Sequence, residues 1–320
     1  MDGLLVVDKP AGPTSHDVVA RVRRVLRERR VGHTGTLDPM ATGVLPLVVG
    51  RATRLARFLS DGDKSYEAVV RLGFATDTGD ALGTPLSEPQ TGALPSREVI
   101  RSALESFRGT FLQQPPAYSA KKIGGRRSHK LARARARATL SDSQDCESKG
   151  ALPDPTSVTV HAIDLVAFDG DRVTLRVDCS AGFYVRALAH DLGERLGTGA
   201  HLAALRRTRS GSITLADALP LAAAERDPAE AAARLIPLAG ILPGLVAVVL
   251  TPEGVERATH GRELRGVDAV TGFGGWDSGL ESRIPIHESR FFRLLDSAGE
   301  LVAIAQQTPS GLLHPSVVLV

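Results

Sequence analysis

The stretch GHTGTLDPMATGVLP, Gly32 to Pro46, constrains this chain more than any other. Its fifteen residues include three glycines, two prolines and three threonines, but one acid, Asp38, and no lysine or arginine. Glycine opens backbone shapes closed to other residues, and proline removes a backbone donor and fixes φ. The segment therefore reads as a loop that interrupts regular structure and holds one carboxylate. An Asp before Pro39 can simply cap a turn. Here Gly32, Gly35 and Gly43 allow unusual backbone or close approach of a ligand, while Thr34, Thr36 and Thr42 can bond the loop backbone locally. A carboxylate so fixed suits a nucleophile or base.

A fixed carboxylate calls for an orienting cation, and none lies between His33 and Arg51. Arg186, near the start of a helix in CSAGFYVRALAHDLG and between apolar Val185 and Ala187, is the candidate. Its fork can clamp a carboxylate through two hydrogen bonds and favours the ionised form. The three tyrosines, Tyr66, Tyr118 and Tyr184, each fall in a segment with other distinctive features. With aromatics at only 4% of residues, this placement suits stacking on an extruded base. Core filling is equally compatible with Tyr66 on periodicity alone.

Charge is unevenly spread. Net charge is +3, but residues 241–320 carry six arginines and nine acids, and residues 1–240 balance at +6. RVRRVLRERR, from Arg21, suits a solvated helix face or a polyanion equally. KKIGGRRSHKLARARARA, residues 121–138, has eight basic residues and no acid, which favours nucleic acid as the neutralising partner. Two cysteines, Cys146 and Cys179, and scattered histidines give no disulfide framework and no metal motif. No apolar run approaches the roughly 20 residues needed to cross a bilayer. The opening residues do not read as a secretion signal, so the chain reads as cytoplasmic.

Patterning predicts a strand over LLVVDKP, then a helix to about Arg30 whose N-cap is Ser15. It further predicts a strand at SYEAVVRLG, a helix at ALPSREVIRSALESFRG, two strands around Asp169-Gly170-Asp171, and a helix from Phe183 to Leu196. Residues 140–157 read as an exposed, mobile loop. LAAAERDPAEAAARLIPLAGILPG reads as one alanine-rich helix ending a first domain, 1–242. Residues 243–320 read as a small mostly-β module holding the hairpin RFFRLLDSAGELVAIAQQ. The fold class is α+β, with a mixed, mostly antiparallel central sheet flanked by helices.

Five ordered segments within about residues 3–215 resemble the TruB family of tRNA pseudouridine synthases. They are GLLVVDKPAGPTSHDVVARVRR, VGHTGTLDPMATGVLPLVVGRATRLARFL, KSYEAVVRLGFATDTGDALG, QQPPAYSAKKIGGRR and CSAGFYVRALAHDLGERLGTGAHLAALRRTRSG. The resemblance implies conversion of uridine 55 in the T loop of tRNA, with no cofactor, no metal and no obligatory protein partner. It implies that Asp38 is the catalytic aspartate and Arg186 its paired arginine. Tyr66 is implied to stack on the uracil and to take part in removing the carbon-5 proton. Tyr184 and Leu205 are implied to line the base pocket, His33 to contact the T loop, and Lys9 and Lys64 to be basic positions near the site. Lys121, Lys122, Arg126, Arg127, Lys130, Arg206 and Arg207 are read as grips on RNA backbone. His129 stands where the family often has an aromatic, residues 140–157 look like an insertion, and residues 243–320 occupy the place of a PUA-like domain. Two other readings are an RNA-guided catalytic subunit and a tRNA-folding chaperone; no Gly-rich turn supports a methyltransferase.

Overall fold

The structure is a computed structural model that describes residues 1–90, 92–116, 122–123, 126–127, 153–270 and 291–319. Its strands are β1 (Gly3–Lys9), β2 (Val31–His33), β3 (Thr42–Val49), β4 (Lys64–Leu72), β5 (Gly109–Gln113), β6 (Lys122–Ile123), β7 (Arg126–Arg127), β8 (Thr156–Asp169), β9 (Arg172–Cys179), β10 (Ala200–Ser210), β11 (Ile213–Thr214), β12 (Leu219–Pro220), β13 (Val246–Val249), β14 (Phe291–Leu295), β15 (Leu301–Gln307) and β16 (Leu313–Val318). The α-helices are α1 (Ser15–Leu26), α2 (Ala56–Ser60), α3 (Arg97–Glu105), α4 (Val185–Leu196), α5 (Leu221–Arg226), α6 (Pro228–Ala233) and α7 (Pro252–Thr259).

Among the described residues, ten strands form one sheet in the order β12-β1-β3-β10-β4-β9-β8-β5, with β2 beside β3 and β11 beside β10. β1 runs parallel to β12 and β3 parallel to β10, while the other pairs are antiparallel. The expected mixed, mostly antiparallel sheet is what forms.

The unbroken apolar run of β1 has a physical cause. Alternate strand residues face opposite sides, so a strand covered on both faces reads as continuous hydrophobic sequence. Leu5 and Val7 join the core under the helices, with Val18, Val22, Leu188 and Leu192. Leu4 and Val6 point the other way and meet Leu238, Ile241, Leu301, Ile304 and Leu319. The C-terminal sheet, β13-β14-β15-β16, therefore packs on the back of β1 and β3. Its own smaller core includes Leu250, Ala258 and Leu294, which brings in α7, a helix absent from the mostly-β expectation.

Local departures have local reasons. Thr14, not Ser15, caps α1, and it forms a reciprocal capping box with Asp17. The alanine-rich stretch splits into α5 and α6 at Asp227-Pro228, because proline supplies no backbone donor and the residue before it avoids helical geometry. Pro46, expected in a loop, lies inside β3. Its carbonyl accepts from the Thr34 amide 3.2 Å away, just past the end of β2. A strand residue's nitrogen and oxygen face the same neighbour, so the missing N–H falls where β2 has ended. Thr156 and Ser157, expected in the mobile loop, begin β8; residues 140–152 lie outside the described residues.

Candidate active site

One row across the sheet makes the floor of the site. Lys9 pairs with Gly43, Gly43 with Arg207, and Arg207 with Tyr66, joining β1, β3, β10 and β4 in register. Directly opposed residues share a face. Gly43 is the gap in this row. Its φ is +100°, and a Cβ there would stand 2.2 Å from the Arg207 carbonyl oxygen. Only glycine lets β3 come this close to β10.

The loop that carries Asp38 rests on this floor. The Lys9 ammonium donates to the carbonyls of Pro10 (2.9 Å), Pro39 (3.1 Å) and Ala41 (2.6 Å), the last two in the turn just after Asp38. Ser15 Oγ accepts from the Leu37 amide at 2.9 Å and donates to the Leu37 carbonyl at 3.1 Å. Arg207 Nε donates to Val44 O at 2.7 Å and Nη2 to Gly35 O at 3.1 Å. A Gly35 side chain would lie 3.3 Å from Arg207 Nη1, so Gly35 also makes room for the guanidinium. The threonines do less than expected. Thr34 Oγ1 is buried without a hydrogen-bond partner among the described residues, and Thr42 Oγ1 reaches across to Leu205 O at 3.3 Å. Rigidity comes from neighbouring strands and α1 rather than from within the loop.

Arg186 meets Asp38 as expected. Its Nε lies 2.8 Å from Oδ2 and its Nη2 3.3 Å from Oδ1, a two-point clamp. The guanidinium is 5% exposed, while the carboxylate is 32% exposed and open on its other side. Nη1 donates to the Thr78 carbonyl at 2.9 Å. That carbonyl belongs to a turn organised by Asp80, a buried acid that accepts from Thr78 Oγ1 (2.7 Å) and the Leu82 amide (3.0 Å). At the start of α4, Gln113 grips the main chain of Tyr184 from both sides: Nε2 to its carbonyl at 3.0 Å and Oε1 from its amide at 2.8 Å. Thr78, Asp80 and Gln113 carried no individual signal in the sequence, and Ser15 only that of a helix cap, although all four stand in its motif segments.

Tyr66 is 8% exposed and shares the main core with Leu37, Leu205 and Phe183. Burial pushes its phenol above the usual tyrosine range, and the adjacent Arg207 opposes that rise without cancelling it. Asp38 lies close enough to act on the same phenol electrostatically. His33 is half-buried, its ring edge-on to His16 at 5.2 Å. Tyr184 is half-buried at the N-cap of α4.

Three of the expected cations are buried rather than exposed. Lys9 and Arg207 are 0% and 1% exposed, and Lys64 is buried with its ammonium donating to Ser60 O and Gly62 O. These cations are enclosed by carbonyls, and in the structure they brace the site. Arg206 is bound through two contacts to Asp8, at 2.8 and 3.2 Å. Lys122, Arg126 and Arg127 fall on the paired strands β6 and β7; Tyr118, Lys121, His129 and Lys130 lie outside the described residues. The thiol of Cys179, buried, is pushed up to about 12 by burial and is thereby unreactive. Among the described residues, no helix is long and apolar enough to cross a membrane, and no group of three or more His, Cys, Asp or Glu is placed to hold a metal.

Comparison with known proteins adds independent findings. The profile of the TruB family pseudouridylate synthase (N terminal domain) matches residues 23–185, and that of the tRNA pseudouridylate synthase B C-terminal domain matches residues 186–232. The chain is 41% identical over 321 residues to tRNA pseudouridine synthase B of Solibacter usitatus, covering 100% of both. It is 39% identical to the protein of that name from Dechloromonas aromatica, covering 98% of this chain and 94% of the relative. Among solved structures, a chain of a Cbf5-Nop10-Gar1 complex superposes with a TM-score of 0.72 at 25% identity, covering 99% of this chain and 85% of the other. A chain of an H/ACA RNP bound to a substrate RNA containing 2'-deoxyuridine matches at TM-score 0.69 and 23% identity, covering 99% and 85%, and shares the fold.

Proposed function

The chain belongs to the TruB family of tRNA pseudouridine synthases, and from that premise we propose that it isomerises uridine 55 of the tRNA T loop with Asp38 as nucleophile. The observation that carries this reading is the Asp38–Arg186 clamp. A carboxylate with one side fixed by a buried guanidinium and the other open to solvent is oriented and accessible together. Pseudouridine formation breaks the bond between ribose carbon 1 and uracil nitrogen 1, turns the base and rejoins it through carbon 5. The proton lost at carbon 5 is matched by one gained at nitrogen 1, so substrate and product are isomers and the reaction requires no redox step.

In this reading the target base leaves its stack, which costs a few kcal/mol, about what stacking on an aromatic returns. Tyr66 stacks on the uracil and accepts the carbon-5 proton, Leu205 and Tyr184 line the pocket, and His33 meets the T loop. The basic segment 121–138 grips phosphates. Residues 1–242 form the catalytic unit in the cytoplasm, and the acidic module 243–320 adds no strong phosphate grip. Full-length identity of 41% to a tRNA synthase favours a chain that acts without guide RNA or protein partner. The Asp38→Asn protein is expected to bind tRNA while product formation, read by mass spectrometry after cyanoethylation, falls below detection. Appreciable turnover by that variant contradicts the assignment. Turnover of an unmodified T-arm hairpin by the purified chain separates this reading from the RNA-guided one.

A further inference from the structure

Arg207 is the largest fully buried side chain among the described residues, and it donates to two backbone carbonyls of the segment around Asp38, Val44 O and Gly35 O, rather than to a carboxylate. We propose that Arg207 is a positioning residue for Tyr66: seated directly across the strand pair, its buried guanidinium fixes the phenol and stabilises negative charge on the phenol oxygen. This rests on the reading of Tyr66 as the acceptor of the carbon-5 proton.

The chemistry requires such a group. A neutral phenol has almost no basicity, so Tyr66 must be a phenolate when it takes the proton. Its own proton passes first to water. The carbon-5 to hydrogen bond then breaks, its electron pair restores the ring double bond, and the proton moves to the phenolate. Nitrogen 1 takes a proton from water, and the exchange balances. Burial opposes the phenolate, as does the Asp38 carboxylate; Arg207 is the neighbour that favours it. Water around a buried phenol cannot rearrange to solvate new charge, whereas a preset cation needs no rearrangement.

The geometry is specific. Arg207, on β10, is the partner of Tyr66 on β4 and of Gly43 on β3, so one residue ties the phenol's strand to the loop holding Asp38. Its guanidinium stands near enough to the phenol to act on it electrostatically. Its main chain stands so near Gly43 that no side chain fits between them. A plain strut between loop and sheet predicts none of the pairing with Tyr66.

The test compares wild type, Arg207→Gln, Arg207→Lys and Tyr66→Phe on a T-arm hairpin whose target uridine carries hydrogen or deuterium at carbon 5. Arg207→Gln is expected to slow product formation by about 10²-fold, with RNA affinity little changed and a larger deuterium effect than wild type. Arg207→Lys keeps a cation of shorter reach and should show a smaller loss, again with a raised deuterium effect. If Arg207→Gln does not fold, Arg207→Lys alone decides. Slower turnover with the wild-type deuterium effect in the folded variant overturns the proposal and leaves Arg207 a strut. Near-normal turnover by Tyr66→Phe, with an unchanged deuterium effect, sinks the Tyr66 reading itself and this proposal with it.

Discussion

Replacing Arg186 with lysine keeps the positive charge and removes the fork. The guanidinium makes contacts of 2.8 and 3.3 Å to the two Asp38 oxygens and 2.9 Å to the Thr78 carbonyl. One ammonium on a shorter reach can keep a single member of that set. Two charge-assisted hydrogen bonds are lost, each of roughly 1.5–3 kcal/mol. Asp38 is 32% exposed, so water recovers part of the loss. The net destabilisation should be about 2–4 kcal/mol by urea unfolding. The larger effect is kinetic: a carboxylate free to shift by about 1 Å loses about 10²-fold in rate. Single-turnover release of tritium from carbon 5 of a labelled T-arm hairpin reads that step, and tRNA affinity should stay near wild type. A variant turning over within about threefold of wild type, under 1 kcal/mol, would show that Asp38 does not need its two-point clamp.

Burial draws the Lys9 ammonium down to about 8 from the usual 10.5. Between these values the unfolded chain still binds a proton that the folded chain has released, so stability rises with pH there, by up to about 3 kcal/mol. The full cost of burying the charge is present below pH 8, and Lys9→Met should lack the alkaline rise; parallel unfolding curves for both proteins from pH 7 to 10.5 would refute this. Gly43→Ala forces a side chain to 2.2 Å from the Arg207 carbonyl at a φ of +100°, so thermal unfolding should show a loss of roughly 3 kcal/mol or more, together with most of the activity. Alanine at Arg126, Arg127 and Lys130 should flatten the log–log salt dependence of tRNA binding by about 0.7–0.9 per lost contact, and an unchanged slope would mark them as solvated surface.

Much of the site was legible without coordinates because it is written in local terms. The glycines and prolines around Asp38 mark a turn wherever the chain folds. The lack of any basic residue between His33 and Arg51 already required a partner from elsewhere, and Arg186 is that partner. Apolar runs announced β1, β4, β9 and α4, and Pro228 carried its own signal for the break between α5 and α6.

What sequence could not decide is which charges keep their water. Arg207 read as a grip on RNA backbone, and Lys9 and Lys64 as basic positions near the site, while lysine and arginine are usually exposed. Their burial depends on strand order: β1, β3, β10 and β4 come from distant parts of the chain and become neighbours only in the sheet. Composition, punctuation and periodicity fixed where the backbone turns and which carboxylate the loop presents. The packing of strands distant in sequence decided whether each cation faces solvent or carbonyls, since solvation is set by everything that surrounds a group and not by its neighbours along the chain.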